Sequence, residues 1–215
     1  MSDAPKNTLS EADHQWITQT IREVEKSTSG EVFAVLAQQS DDYFYPALAQ
    51  VAVGMVLVSL PLAWLLSAFG APLPLLAFLA AQLAALLCAA AVLYFVPSLR
   101  IQLVPRHLSY RRASQNAVRQ FLAHGIDQTR DRTGVLIFVS LAERYAEIVA
   151  DRGIADVVEQ KDWDAMLVKL IESARNNKLP QGFVTCIREM GGLLAQNFPK
   201  TDETHNELDD RLVQI

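Results

Sequence analysis

The sequence has few of the side chains and none of the motifs that mark the common enzyme classes. It holds two cysteines, Cys88 and Cys186, and four histidines that are scattered along the chain. Neither set has the spacing of a disulfide framework or of a metal cluster. The P-loop, GxGxxG, GxSxG, HExxH and CxxC motifs are all absent. No catalytic residues are therefore assigned, and the sequence favours a non-catalytic role while leaving enzyme activity undecided.

Basic residues are outnumbered by acidic ones. The net charge of −5 argues against a general nucleic-acid surface, so no nucleic-acid partner is expected. Residues 1–42 are polar and contain no short apolar core, which predicts that the N-terminus is not a secretory signal peptide.

One long segment of the chain lacks charged residues. Tyr43–Leu99 runs for 57 residues without Asp, Glu, Lys or Arg. A bilayer core of roughly 30 Å needs about 20 apolar helical residues to cross it. Two spans fit, at about Ala47–Phe69 and Leu73–Val96, with a tight break at Gly70–Pro74. The alternative, a pair of core helices in a soluble protein, is disfavoured because such helices keep a polar face. Residues 43–97 are thus predicted to be a transmembrane hairpin.

Positive charge predicts the direction of insertion. Ser27–Asp42, before the first span, has no Lys or Arg, and the Gly70–Pro74 break carries no charge. Four arginines follow the second span within 16 residues of Val96. Positively charged residues cluster on the cytoplasmic side of a membrane. The end of the second span is therefore predicted to be cytoplasmic, and two spans place both termini in the cytoplasm of a bacterial cell, with the hairpin in the inner membrane. The arginines after the second span are candidates for contact with the membrane surface, and their alternative role is a solvated helix face. They are Arg100, Arg106, Arg111 and Arg112.

The polar segments on either side of the hairpin predict one discontinuous α/β domain, residues 9–42 with 98–198. Neither part has enough elements to bury a core alone. Residues 1–8 are expected to be disordered, and residues 199–215 to be an acidic, mobile tail. The apolar periodicity predicts a helix that starts after Ser10, strands at Glu31–Ala37, Gly134–Val139 and Arg144–Ala150, and helices at Leu108–His124, Trp163–Asn176 and Gln181–Asn197.

Several of these residues resemble a known family. The segment Asp131–Ser140 (DRTGVLIFVS) followed by Glu143–Ile154 (ERYAEIVADRGI) is similar to the central signature of the TPM domain. Glu25–Leu36 (EKSTSGEVFAVL) resembles the opening of that domain, and Gln181–Phe183 (QGF) lies in a helix that resembles its last one. The chain therefore looks like a bacterial-type, membrane-inserted member of the TPM domain family.

The resemblance implies an α/β fold with a small mixed sheet flanked by helices, here interrupted by a two-helix transmembrane hairpin. Typical members carry an export signal and one anchoring helix, and this chain departs from them in having an inserted hairpin and an inward-facing domain. Acidic residues of the family are linked to calcium binding or weak phosphatase activity. Their positions have no residue-by-residue match here, so calcium or magnesium is only a suggested cofactor and no role is carried over.

Four charged residues form the candidate ion or phosphate site. Asp131 and Arg132 precede the first strand of the predicted β-hairpin, and Asp151 and Arg152 follow the second. In an antiparallel hairpin these positions lie at the same end. Two carboxylates and two guanidinium groups there suit a cation or a phosphate. The alternative is a set of surface ion pairs, which stabilise a fold little.

The predicted function is that of an integral membrane protein whose cytoplasmic TPM-like domain serves as an accessory or interaction module of a membrane complex. Its expected partners are the lipid bilayer and an unidentified membrane protein, with self-association left open. The alternatives are a membrane-associated, divalent-metal-dependent phosphatase or other hydrolase, and a transporter-like assembly of hairpins. Gln82, in the second span, faces either another helix or lipid.

Overall fold

The structure is a computed structural model, and it describes residues 9–70, 74–200 and 211–215. Residues 1–8, for which disorder was expected, lie outside the described residues, as do the middle of the predicted Gly70–Pro74 break and residues 201–210 of the predicted tail. The chain divides into two compact units. The first joins the residues up to Ser40 with Arg112–Ile215, and the second is Asp41–Arg111.

Eight α-helices, one 3-10 helix and four strands make up the described residues. In chain order they are α1 Glu11–Glu25, β1 Glu31–Ala37, α2 Phe44–Ala68, α3 Leu75–Phe95, α4 Ser98–Leu103, α5 Arg106–Ala123, the 3-10 helix Ile126–Gln128, β2 Gly134–Ser140, β3 Tyr145–Ala150, α6 Arg152–Ala155, α7 Gln160–Arg175, α8 Leu179–Asn197 and β4 Leu212–Gln214.

The first unit is built on a four-stranded mixed sheet in the order β3-β2-β1-β4. β1 is parallel to β2 and to β4, whereas β2 and β3 form an antiparallel hairpin. A parallel pair needs a long connection between its strands. Here α2 to α5 lie in the chain between β1 and β2, so the predicted membrane hairpin is an insertion into that connection. The mixed α/β fold with a sheet flanked by helices confirms the predicted fold class.

Both faces of the sheet are covered, which is why β1 and β2 read as continuous apolar runs. Every residue of these two strands is buried. Alternate residues such as Val32 and Ile137 face a core shared with α1, α7 and α8. Their neighbours, such as Phe33 and Phe138, face a second core to which α5 contributes Phe121.

The helix ends follow their capping residues. Ser10 caps α1, because its Oγ accepts a hydrogen bond from the Asp13 backbone N–H while the Asp13 side chain accepts from the Ser10 N–H. This is a capping box, with aspartate at its third position.

The helices predicted at Trp163–Asn176 and Gln181–Asn197 match α7 and α8.

The expected mobile tail is wrong for its last residues. Leu212–Gln214 form β4 and pair with Ala34, Val35 and Leu36 at the edge of the sheet. Leu212 is buried in the first core. Three residues are too few for an alternating pattern to show, and the preceding acidic stretch dominates the local composition. Sequence pattern alone therefore does not predict this strand.

In the second unit, α2 and α3 are both long and apolar enough to cross a membrane. In each helix, the most apolar stretch of 18 residues contains no buried residue. They overlap the predicted spans closely. A small cluster of Tyr43, Ala47, Leu93 and Val104 is buried at one end of the pair. The rest of both helices exposes large apolar side chains, Trp64 and Leu76 among them.

Candidate functional site

The end of the β2–β3 hairpin holds the four charged residues selected from the sequence. Val135 pairs with Ala150 across the hairpin, and the Asp151 N–H donates to the Gly134 carbonyl at 2.9 Å. This register brings Arg132 and Asp151 together, with 3.7 Å between Nη1 and Oδ1. Asp131 and Arg152 are exposed at the same end.

Asp151 is the buried member of this group, with only 6% of its surface exposed. Its Oδ1 accepts a hydrogen bond from the Arg152 backbone N–H at 2.7 Å, and Asp151 is the N-cap of α6. Its Oδ2 is also buried and has no hydrogen-bond partner among the described residues. The carboxylate therefore stabilises the turn between β3 and α6 through Oδ1, and its Oδ2 is an unused hydrogen-bond acceptor among the described residues.

The loop before β2 is fixed tightly against this turn. Arg132 has a left-handed backbone, with φ of 56°, and its N–H donates to the Thr129 carbonyl at 3.1 Å. Gly153 lies against the loop, since a Cβ there would come within 2.6 Å of the Arg132 carbonyl oxygen and 2.8 Å of the Asp131 oxygen. The glycine of this motif is thus required by a close backbone approach.

The calcium site that the resemblance suggests does not fit these residues. Calcium takes about six to eight oxygen ligands, and carboxylates among them offset its positive charge. Across the described ranges, no three His, Cys, Asp or Glu side chains come close enough to hold a metal ion. The hairpin end instead presents one buried carboxylate beside one guanidinium group.

A second polar cluster lies at the opposite end of β1 and β2, and sequence reasoning missed it. The Glu143 carboxylate accepts hydrogen bonds from the Ser40 backbone N–H at 2.9 Å and from the Ser140 hydroxyl. The Ser40 hydroxyl donates to that of Ser140 at 2.9 Å. Only the Ser-x-x-Glu spacing was visible in the sequence, because Ser40 lies 100 residues from Ser140. This largely buried cluster links the segment after β1 to the β2–β3 turn.

Arg100 is not the surface residue that the sequence predicted, because its side chain is buried within the second unit. Nε donates to the Leu93 carbonyl at 2.8 Å and Nη2 to the Tyr94 carbonyl at 3.1 Å. Nη1 forms an ion pair with Asp42, and the guanidinium lies 5.4 Å from the Phe44 ring centre. The last carbonyls of a helix have no partners within it, and the C-terminus attracts cations. Arg100 therefore caps the C-terminus of α3 and links it to Asp42, which precedes α2.

The other three candidate arginines differ from Arg100. Arg106 and Arg111 are exposed on α5, and Arg112 is partly buried. Their contact with a membrane surface stays a prediction.

Gln82 faces α2, which answers one question that the sequence left open. Its Nε2 donates a hydrogen bond to the Ser59 hydroxyl. The two helices are therefore joined by a polar contact in the middle of otherwise apolar segments.

The pKa values of His124 and Cys186, both in the first unit, are shifted. Burial, followed by the charge of Arg211, lowers the pKa of His124, whose ring stacks 4.5 Å from Phe33. Burial, with a smaller effect of Glu189, raises the pKa of Cys186 to about 12. The Cys186 thiol stays protonated at neutral pH and is a poor nucleophile.

Comparisons with known proteins agree with the sequence resemblance. Residues 92–193 match the family model described as TPM domain, a range that runs from the last turn of α3 into α8. The search of curated proteins found no match. Among solved structures, the NMR structure of the BA42 protein from the psychrophilic bacterium Bizionia argentinensis is similar, with a TM-score of 0.61, 19% identity and 100% coverage of both chains. That likeness shows the fold alone. The predicted resemblance is confirmed over the matched residues.

Proposed function

We propose that this protein is a membrane-anchored accessory module, because residues 92–193 match the family model described as TPM domain and α2 and α3 are long and apolar enough to cross a bilayer. The hairpin holds it in the inner membrane. The folded domain is on the cytoplasmic side, where it binds a membrane-protein complex.

The observation that carries this proposal is the exposure of the apolar helices. Leu57, Trp64, Leu76 and Leu87 are each more than half exposed. In water such a surface is an aggregation liability, whereas in lipid it is matched by hydrocarbon. A helix also satisfies its own backbone hydrogen bonds, as a spanning segment must.

The distribution of charged and aromatic residues supports the orientation. Arg106 and Arg111 follow the second helix and are exposed, as expected on the cytoplasmic side. Tyr45, Tyr94 and Phe95, at the start of α2 and the end of α3, are also exposed. Tyrosine is enriched at both membrane interfaces, so these rings support the placement of the helix ends at an interface, and the arginines support the orientation.

The accessory role draws support from the outer surface of α5. Val118 and Leu122 are four residues apart on this helix and are 45% and 54% exposed. Residues four apart share one face of a helix. Together they offer a small apolar contact for a protein partner.

The experiment that tests this function is capture of the tagged full chain from solubilised membranes. The wild-type chain is expected to resist extraction of membranes with alkaline carbonate and to co-purify one membrane protein in stoichiometric amount. The double variant Val118→Glu, Leu122→Glu should stay in the membrane and lose that protein, whereas Val168→Glu, at an exposed position of α7, should retain it. A chain that elutes with lipid alone contradicts the accessory role, and a chain released by carbonate contradicts the anchor.

A second candidate function is hydrolysis at the end of the β2–β3 hairpin, and one observation favours it. The buried Oδ2 of Asp151 lacks a partner among the described residues and lies on the carboxylate beside Arg132. A guanidinium group suits a phosphate oxygen. Hydrolysis of p-nitrophenyl phosphate by the purified chain should then fall when Asp151 is changed to Asn. An activity that is absent, or that survives this change, rejects the candidate.

A further inference from the structure

The hydrogen-bonding capacity of Gln82 is only partly used. A glutamine amide has two N–H donors and an oxygen that accepts two bonds. One N–H donates to the Ser59 hydroxyl. Within the described residues, the second N–H and the oxygen have no partner. The amide is therefore incomplete in a single copy of the hairpin.

Two apolar grooves border this amide. One, of about 310 Å³, is lined by Met55, Val56, Leu79 and Leu86 beside Gln82. The other, of about 220 Å³, is lined by Leu62, Leu66 and Ala81, again beside Gln82. Ser59 and Phe78 border both grooves. Each groove gives a neighbouring side chain room to reach the amide from outside the hairpin.

The position of Gln82 makes its unused groups costly. It is the eighth of the 21 residues of α3, so it lies about 10 Å along the helix from the N-terminal end at roughly 1.5 Å per residue. In a spanning helix that depth is hydrocarbon, which offers no hydrogen bonds. A partner with both a donor and an acceptor at the same depth removes this cost.

We propose that the partner is a second copy of this chain, paired through Gln82. This inference rests on the proposed function, because it requires that the hairpin spans the bilayer. Two copies inserted in the same direction place their Gln82 side chains at the same depth. Around a two-fold axis normal to the membrane, each amide donates its second N–H to the oxygen of the other. Such a contact is self-complementary, as two-fold interfaces are.

Self-pairing accounts for the observations better than lipid does. An acyl chain fills an apolar groove but neither donates nor accepts a hydrogen bond. A lipid headgroup has the required oxygen atoms but lies at the interface, away from the depth of Gln82. Glutamine side chains are known to hydrogen-bond between membrane helices.

The test measures energy transfer between donor-labelled and acceptor-labelled full chains in phospholipid vesicles as lipid is added. The wild-type chain is expected to self-associate, and Gln82→Leu to dissociate at a lipid dilution roughly ten-fold lower. Gln50→Leu is the matched control, because Gln50 is an exposed glutamine on α2. It should behave as the wild type. Gln82→Leu makes the span more apolar, so insertion itself is preserved.

Three results would overturn the pairing. They are a wild-type chain that is inserted but monomeric, a Gln82→Leu variant that associates as the wild type does, and equal losses in Gln82→Leu and Gln50→Leu. Each leaves the membrane anchor intact. A chain that fails to enter vesicles would instead reject the proposed function, so the two failures are distinguishable.

Discussion

Arg100 shows how much a single side chain can do at the end of a membrane hairpin. Its guanidinium group donates to the Leu93 and Tyr94 carbonyls and pairs with Asp42. The sequence showed only an arginine after an apolar run, which is typical of a residue in contact with lipid headgroups. Its actual partners depend on where the chain turns after α3, and local pattern does not encode that turn.

Replacing Arg100 with leucine should lower the free energy of unfolding by about 1–3 kcal/mol, because two helix-end carbonyls lose their donor. Asp42 is 68% exposed and can be hydrated, so its loss of a partner adds little. Thermal unfolding in detergent micelles measures the effect. Arg111→Leu, a change at an exposed position, is the control and should shift stability by less than about 0.5 kcal/mol. Equal effects of the two changes would contradict the assigned role.

His124 should make the first unit sensitive to acid. Its pKa is lowered in the folded chain by burial and by Arg211, so the unfolded state binds more protons between the folded pKa and about 6.5. The stabilisation is present above about pH 6.5 and is lost as pH falls through the folded pKa. Denaturant unfolding of the wild type and His124→Gln across this window measures the difference. A variant with the same pH dependence as the wild type would show that His124 is not responsible.

At the level of secondary structure, helix packing depends on contacts that sequence periodicity cannot locate. α8 contains the adjacent glycines Gly191 and Gly192, and they are indistinguishable in the sequence. In the structure, a Cβ on Gly191 would come within 2.1 Å of a Val24 methyl group on α1, whereas nothing lies within 4 Å of one on Gly192. The periodic pattern predicted both helices correctly but not which glycine lies between them.

Gly191→Ala should therefore destabilise the chain by about 1–3 kcal/mol through overpacking against Val24. Gly192→Ala is the matched control, and it should be neutral or stabilise by up to about 1 kcal/mol, because alanine is the better helix former. Chemical denaturation followed by circular dichroism compares the two. Shortening Val24 to alanine removes both methyl groups but leaves the Val24 Cβ 2.9 Å from the added one, so it should rescue Gly191→Ala in part. No rescue at all would mean that the clash lies elsewhere.

At the level of the whole molecule, the long apolar stretch is visible without a structure, because Tyr43–Leu99 contains no charged residue. The buried strands β1 and β2 were predicted from short apolar runs, and the run in β2 is continuous, which indicates a strand covered on both faces. The polar clusters were harder to predict. Asp151 and Arg132 were found because the predicted β-hairpin places them at one end. The contact of Ser40 with Glu143 was not found, because 96 residues, including the predicted transmembrane hairpin, lie between the end of β1 at Ala37 and the start of β2 at Gly134.

The central claim is that α2 and α3 span the bilayer with both ends of the chain in the cytoplasm. Labelling of a single added cysteine in intact cells with a membrane-impermeant maleimide tests it most directly. Cys88 lies in α3 and the Cys186 thiol is buried, so the chain without an added cysteine serves as the background. Phe69→Cys, at the end of α2, should be labelled from outside, and Val168→Cys, on α7, only after the cells are permeabilised. Labelling of Val168→Cys in intact cells, or protection of Phe69→Cys, would contradict this topology.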